Sequence, residues 1–226
     1  MTPEDALAAL RARGDAKDAA AQAAYHKSTR AHFGVRNPVI DDLVRDWRAE
    51  LGVDVEARIA LADGLWRSDA HEARIAAAKL LTQARIRDDA GVWKLIAGWV
   101  PEFDAWAIAD HAASAGARRL TAAPERLDEV ETWTTSESMW SRRAALIFTL
   151  PWSKGRHLSE ADEARRERVL GWAAGYVADR EWFIQKAIGW WLRSLSKHDP
   201  DRVRAFLAEH GEGMKAFARK EASKYL

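Results

Sequence analysis

Three short stretches of the chain put an aromatic ring and a charged group on one side of a helix. In FDAWAIAD, residues 103–110, Trp106 and Asp110 stand four apart, so a large π-face and a carboxylate project together. In MWSRRAALIF, residues 139–148, Trp140 and Arg143 repeat the pairing with a cation in place of the anion. In EWFIQKAIGWWLR, residues 181–193, Lys186 and Trp190 do so again, with Gln185 and Arg193 as neighbours. A fixed carboxylate stabilises positive charge that develops in a reaction, and a ring face attracts a cation. Arginine or lysine holds a phosphate. Taken singly, Trp106 fits a helical core, Asp110 a surface charge and Arg143 an ion pair with Glu137. Their joint occurrence on three helices favours a cleft.

The elements that must position these residues all read as helices. Thr2-Pro3-Glu4-Asp5 opens the first with an N-cap, a proline in the first turn and early acids. A second runs through the alanine-rich stretch to Tyr25. After the loop 26–36, Asn37-Pro38 caps a third, with Val39, Ile40, Leu43, Val44 and Trp47 at helical spacing. Helices are expected over 55–66, 69–82, 88–99, 104–120 and 124–134. Ser138 caps the next, which stops at Pro151, and others follow over 160–177, 181–196 and 200–209, with a short one after Gly213. No run of alternating β-branched residues flanked by turn signals occurs, so the class is all-α. Helix pairs joined by short turns, repeating at roughly 35 to 45 residues, are the signature of a HEAT-type solenoid. The internal self-similarity is weak, and a globular bundle is the alternative. The candidate residues fall on every second helix, which in a solenoid line one concave wall.

Composition narrows the function. The chain has 226 residues, no cysteine and a formal net charge of +1. Without cysteine there are no disulfides, thiolate zinc sites or cysteine nucleophiles. The seven histidines are scattered, and His71-Glu72 has no second histidine at metalloprotease spacing, so no metal or other cofactor is expected. No apolar stretch of membrane length and no secretion signal are present, which predicts a soluble, cytoplasmic protein with no membrane partner. Charge is uneven: residues 101–150 carry 5 basic and 8 acidic side chains, residues 151–226 carry 15 and 11. The C-terminal third can therefore face a polyanion, although Arg165, Arg166 and Arg168 also fit a solvated helix face with Glu163 and Glu167. Ser194-Leu195-Ser196-Lys197 lacks the partner motifs of a serine hydrolase, and Gly211-Glu212-Gly213 follows no strand and is a helix-ending turn.

The chain resembles the DNA alkylation repair family of AlkD-type DNA glycosylases. The likeness is carried by YHKSTRAHFGVRNP at 25–38, FDAWAIAD, MWSRRAALIF, WFIQKAIGWWLR and the C-terminal RKEASKYL. It implies a single domain over 1–226, a right-handed superhelical α-solenoid of HEAT-like helix pairs with a concave DNA-binding face. It implies a monofunctional glycosylase, working as a monomer, that removes N3- or N7-alkylated purines from double-stranded DNA. The base is excised without being rotated into a pocket, unlike the usual extrusion. By resemblance the catalytic carboxylate is Asp110, the sugar-facing aromatics are Trp106 and Trp190, the phosphate-contacting arginine is Arg143, and Tyr25 contacts DNA. Gln185, Lys186 and Arg193 are expected beside them. Gly189 is expected either to let DNA approach or to pack a helix. His26 and the Ser28-Thr29-Arg30 run depart from the family's pattern. A non-catalytic protein that binds DNA structures, or a protein-interaction scaffold, are the alternatives.

Overall fold

A computed structural model describes residues 1–226 and contains thirteen α-helices, six short 3₁₀ turns and no strand. The chain forms two compact units, Met1–Arg119 and Leu120–Leu226. The N-terminal unit holds α1 (Pro3–Ala12), α2 (Ala16–His26), α3 (Asn37–Leu51), α4 (Val55–Arg67), α5 (His71–Leu81), α6 (Ala90–Trp99) and most of α7 (Trp106–Ala122). The C-terminal unit holds α8 (Leu127–Thr132), α9 (Met139–Phe148), α10 (Glu160–Gly175), α11 (Trp182–Ser196), α12 (Pro200–His210) and α13 (Ala216–Ala222).

Local chemistry explains where these helices begin. Thr2 and Asp5 form a reciprocal capping box at α1, and the Asp15, Asp54, Ser138 and Ser159 side chains cap α2, α4, α9 and α10. At α3 the cap is Arg36, one residue before the expected Asn37, and no side chain bonds the first turn. Pro38 there occupies a first-turn position where a missing N–H costs nothing. The expected helix at 124–134 is α-helical only over α8, with a 3₁₀ turn on each side.

In the N-terminal unit α5 is the central element, buried on nearly every side and packed against α3 and α4. Its Ala73, Ala76, Ala77 and Ala78 are inaccessible to solvent, and their small side chains let neighbouring helices come close. Such a helix has no outward face, so each charged residue on it must find a partner inside. Arg74 lies over the Trp66 ring at 4.4 Å and donates to Glu102 at 2.9 Å, while Trp66 Nε1 donates to the same carboxylate at 2.8 Å. Trp66 stacks on Trp99 at 4.2 Å. In the C-terminal unit α11 is central, packed against α9, α12 and α13. Its Trp191 is fully buried and donates to the Thr149 hydroxyl at 3.2 Å.

Candidate functional site

In the N-terminal unit Trp106 is the first residue of α7 and Asp110 lies one turn on, and both are half-buried. Ser114, a further turn along, donates its hydroxyl to the Asp110 carbonyl at 3.0 Å. The Tyr25 ring, 71% exposed at the end of α2, meets Trp106 edge-on at 6.1 Å. His26 comes closer to the same indole, at 5.3 Å.

What brings the end of α2 to the start of α7 is the loop 27–36, and a buried carboxylate holds that loop. Glu72, on α5 and 1% exposed, accepts backbone N–H groups from Phe33 at 3.0 Å, Gly34 at 2.7 Å and Val35 at 3.2 Å. Three convergent donors satisfy a charge that burial alone would expel. Gly34 has φ 78°, and a Cβ there would lie 2.0 Å from the Asp15 carbonyl oxygen, so only glycine fits the turn. His71 donates its backbone N–H to Ala31 at 2.9 Å, and Arg30 bonds Asp104, two residues before α7, at 2.8 Å. The loop is thus pinned to α5 at one end and to the lead-in of α7 at the other.

Beneath the Trp106 ring lies a cluster of three imidazoles. His71 is 4.4 Å from His26 and 4.4 Å from His32, and the latter two are nearly parallel at 6.1 Å. Burial lowers all three below the usual histidine range, His71 to about 3, and the neighbouring imidazoles add to the shift at His71 and His26. His71 is also the first residue of α5, where the helix dipole disfavours a cation. No group of three or more His, Asp or Glu side chains in the chain is arranged to hold a metal ion.

The C-terminal unit holds a groove of about 340 Å³ lined by Trp182, Lys186, Trp190 and Arg193 of α11 and by Phe217, Ala218 and Glu221 of α13. Trp182 stacks on Phe217 at 5.6 Å, and the Lys186 ammonium lies 4.8 Å above the Trp182 ring. Arg193 pairs with Glu221, so it enters the groove as half of an ion pair. The wall formed by α13 depends on Gly189. A Cβ there would stand 3.0 Å from the Ala218 carbonyl oxygen and 3.2 Å from its Cα, so the missing side chain is what lets α13 lie against α11.

A family profile described as DNA alkylation repair enzyme matches residues 6–226. The chain belongs to the DNA alkylation repair enzyme family. Among solved structures it is similar to a predicted DNA alkylation repair enzyme from Enterococcus faecalis, at 23% identity and TM-score 0.80 over 95% of this chain and 97% of that one. It is also similar to AlkD2 from Streptococcus mutans, at 20% identity and TM-score 0.61 over 93% and 98%. A third match is the smu.31 protein of Streptococcus mutans UA159, at 20% identity and TM-score 0.58 over 84% and 98%. These likenesses establish the helical repeat fold. No curated protein matches the chain.

This family member brings Tyr25, Trp106 and Asp110 together in one unit and Lys186, Trp190 and Arg193 together in the other. Two residues expected to contact DNA lie inside the fold. Arg143 is 1% exposed, with its guanidinium 5.8 Å above the Phe183 ring and Nη1 donating to the Phe183 carbonyl at 3.1 Å. Trp140 packs on the same Phe183 ring at 4.7 Å. The spacing does place Trp140 and Arg143 on one side of α9, but Trp140 is only half-buried whereas the Arg143 guanidinium turns inward onto α11 and is not presented at the surface. Gln185 is fully buried: its amide donates to the Val177 and Asp179 carbonyls at 3.0 and 2.8 Å and accepts from the Lys215 N–H at 2.8 Å. It ties the 3₁₀ turn after α10 to the segment before α13. The histidine cluster and Glu72 escape sequence reasoning, because positions 26, 32 and 71 meet only in the folded chain. The available signal is the helix HEARIAAAKLL itself, whose alanine, isoleucine and leucine residues are spread around its whole circumference, so that its His-Glu pair is drawn inside with them.

Proposed function

We propose that the protein is a DNA glycosylase that hydrolyses the N-glycosidic bond of N3- or N7-alkylated purines in duplex DNA without rotating the base into a pocket. The observation that carries this reading is Asp110 one turn from Trp106 on a half-exposed face of α7, with Tyr25 beside the indole. Family membership supports DNA as the partner and alkylation damage as the context.

Alkylation makes the purine cationic and a good leaving group, so no acid is needed to protonate it. What remains is to stabilise the deoxyribose as the C1′–N bond breaks and positive charge spreads over C1′ and the ring oxygen. The Asp110 carboxylate opposes that charge and orients the attacking water, a contribution of about 3 to 4 kcal/mol by analogy with other preorganised groups. The ring face of Trp106 adds roughly 0.5 to 2 kcal/mol. Tyr25, Lys186 and Arg193 contact DNA. Arg143, from behind, fixes the backbone at Phe183 and so the first turn of α11.

The test is single-turnover excision from N7-methylguanine duplex DNA by Asp110→Asn, beside a binding titration. The amide keeps size and an acceptor but no net charge. A rate loss of a hundredfold or more with nearly unchanged affinity is expected. Retention of more than about a tenth of the rate, a barrier change under ~1.4 kcal/mol, would leave a non-catalytic DNA-binding protein as the reading.

A further inference from the structure

We propose that His26, backed by His71 and His32, is a positioning residue for the Trp106 ring, and that the imidazole cluster serves this role only while uncharged. The inference rests on the glycosylase reading for its consequence, though not for its geometry. His26 belongs to two triangles of rings. On one side it touches His71, which in turn touches His32. On the other it stands 5.0 Å from Tyr25 and 5.3 Å from Trp106, which are 6.1 Å from each other. It is the single ring common to the imidazole cluster and the Tyr25–Trp106 pair, so the placement of Trp106 depends on the packing behind it.

That packing tolerates no added charge. His71 is 2% exposed, and its Nδ1, the Nδ1 of His26 and both nitrogens of His32 have no hydrogen-bond partner in the chain. A proton taken up there finds no acceptor, and a second would sit one ring-width from the first. Around His71 stand His26, His32, Arg30 and His111, all of which disfavour its protonation; Glu72 alone favours charge on His26 and His32, and it is already committed to three backbone N–H groups. The sign follows. The three histidines bind protons more readily in the unfolded chain, so their contribution to native packing is complete above the ordinary histidine value of 6.5 and is lost as pH falls below it, down to about 3 for His71. The cluster is a proton-sensitive seat under a ring that must face a cationic sugar.

The experiment has two arms. In the first, the imidazole Cε1–H signals of His26 and His32 and the indole N–H signal of Trp106 are followed by NMR from about pH 8 to about pH 4.5, with assignment by His26→Phe and Trp106→Phe. The Trp106 signal should move with the His26 midpoint, below 6.5, and should cease to follow it in His26→Phe. A midpoint at or above 6.5, or a Trp106 signal indifferent to His26, overturns the proposal whatever the enzyme does. In the second, the ratio of excision rates at about pH 5.5 and about pH 8 is compared within each protein. Wild type should lose rate on the acid side, His26→Phe should lose less, and His26→Ala should lose about threefold to tenfold in rate at both pH values with little change in DNA affinity. A coupled NMR titration without any excision would sink the glycosylase reading and leave the positioning assignment standing. An equal acid loss in wild type and His26→Phe would sink the assignment.

Discussion

Replacing Glu72 by Gln should loosen the loop that carries His32 and anchors Tyr25 and His26 against Trp106, without disturbing α5 itself. The carboxylate is buried to 1%, and Oε1 alone receives three backbone donors at 2.7 to 3.2 Å, with Oε2 also 3.0 Å from the Phe33 nitrogen. Hydrogen bonds to a charged acceptor contribute roughly 1.5 to 3 kcal/mol each. In the glutamine variant one oxygen keeps a neutral acceptor while the amide N–H groups confront the Phe33 donor. A loss of about 2 to 4 kcal/mol in local stability is expected, below the sum for the three bonds because one acceptor survives. Amide hydrogen exchange reads this directly at Phe33, Gly34 and Val35, where the same free energy corresponds to exchange roughly 30 to 1,000 times faster. Amides of α6, whose bonds do not involve Glu72, serve as the internal reference. Acceleration under about threefold at those three positions would refute the reasoning, since the carboxylate would then not be what holds the loop. A uniform acceleration across the whole N-terminal unit would refute the claim that the effect is local.

Other substitutions separate packing from binding. Gly189→Ala gains helix propensity of about 1 kcal/mol but forces a Cβ against the Ala218 backbone, a strain of about 1 to 3 kcal/mol. The net result should be weaker docking of α13, visible as faster proteolysis at Lys220 and Lys224, and unchanged cleavage there would contradict it. Lys186→Ala should weaken DNA binding and lower the log–log salt slope by about 0.9, with the melting temperature kept. Gln185→Ala should do the reverse, costing about 3 kcal/mol of folding stability by stranding the Lys215 N–H and two carbonyls, with no change in the salt slope.

The contrast between Gln185 and Lys186 also shows where the sequence stops being legible. Adjacent residues on a helix point about 100° apart, so the two could not share a cleft, and the stripe Trp182, Lys186, Trp190 and Arg193 is the one that lines the groove. Spacing tells which residues share a face; it does not tell which way the face turns. Trp106 with Asp110 and Trp140 with Arg143 look alike in the sequence, and both tryptophans are half-buried, yet Asp110 keeps part of its surface while Arg143 is folded onto Phe183. The all-α class and the capped starts of α1 and α9 were readable because they depend on residues within one turn. The histidine cluster was not, because His71 lies more than thirty residues from either partner and nothing local announces it.

The distribution of charge gives these placements a common logic on the glycosylase reading. A reaction that expels a cationic base and passes through a cationic sugar is impeded by any positive group near the breaking bond, whereas the phosphates flanking it require positive groups nearby. The rings beside Trp106 are a phenol and imidazoles whose surroundings resist protonation, so the face that carries Asp110 can present a carboxylate and π-faces without an adjacent imidazolium. The one cation of that loop that approaches α7, Arg30, is spent on Asp69 and Asp104. In the C-terminal unit the order is reversed: basic side chains outnumber acidic ones, and Lys186 stands exposed over a tryptophan ring. Neutral histidines in the first unit are therefore as much a part of the proposed chemistry as the lysine in the second, because a positive charge in their place would oppose the transition state that Asp110 stabilises.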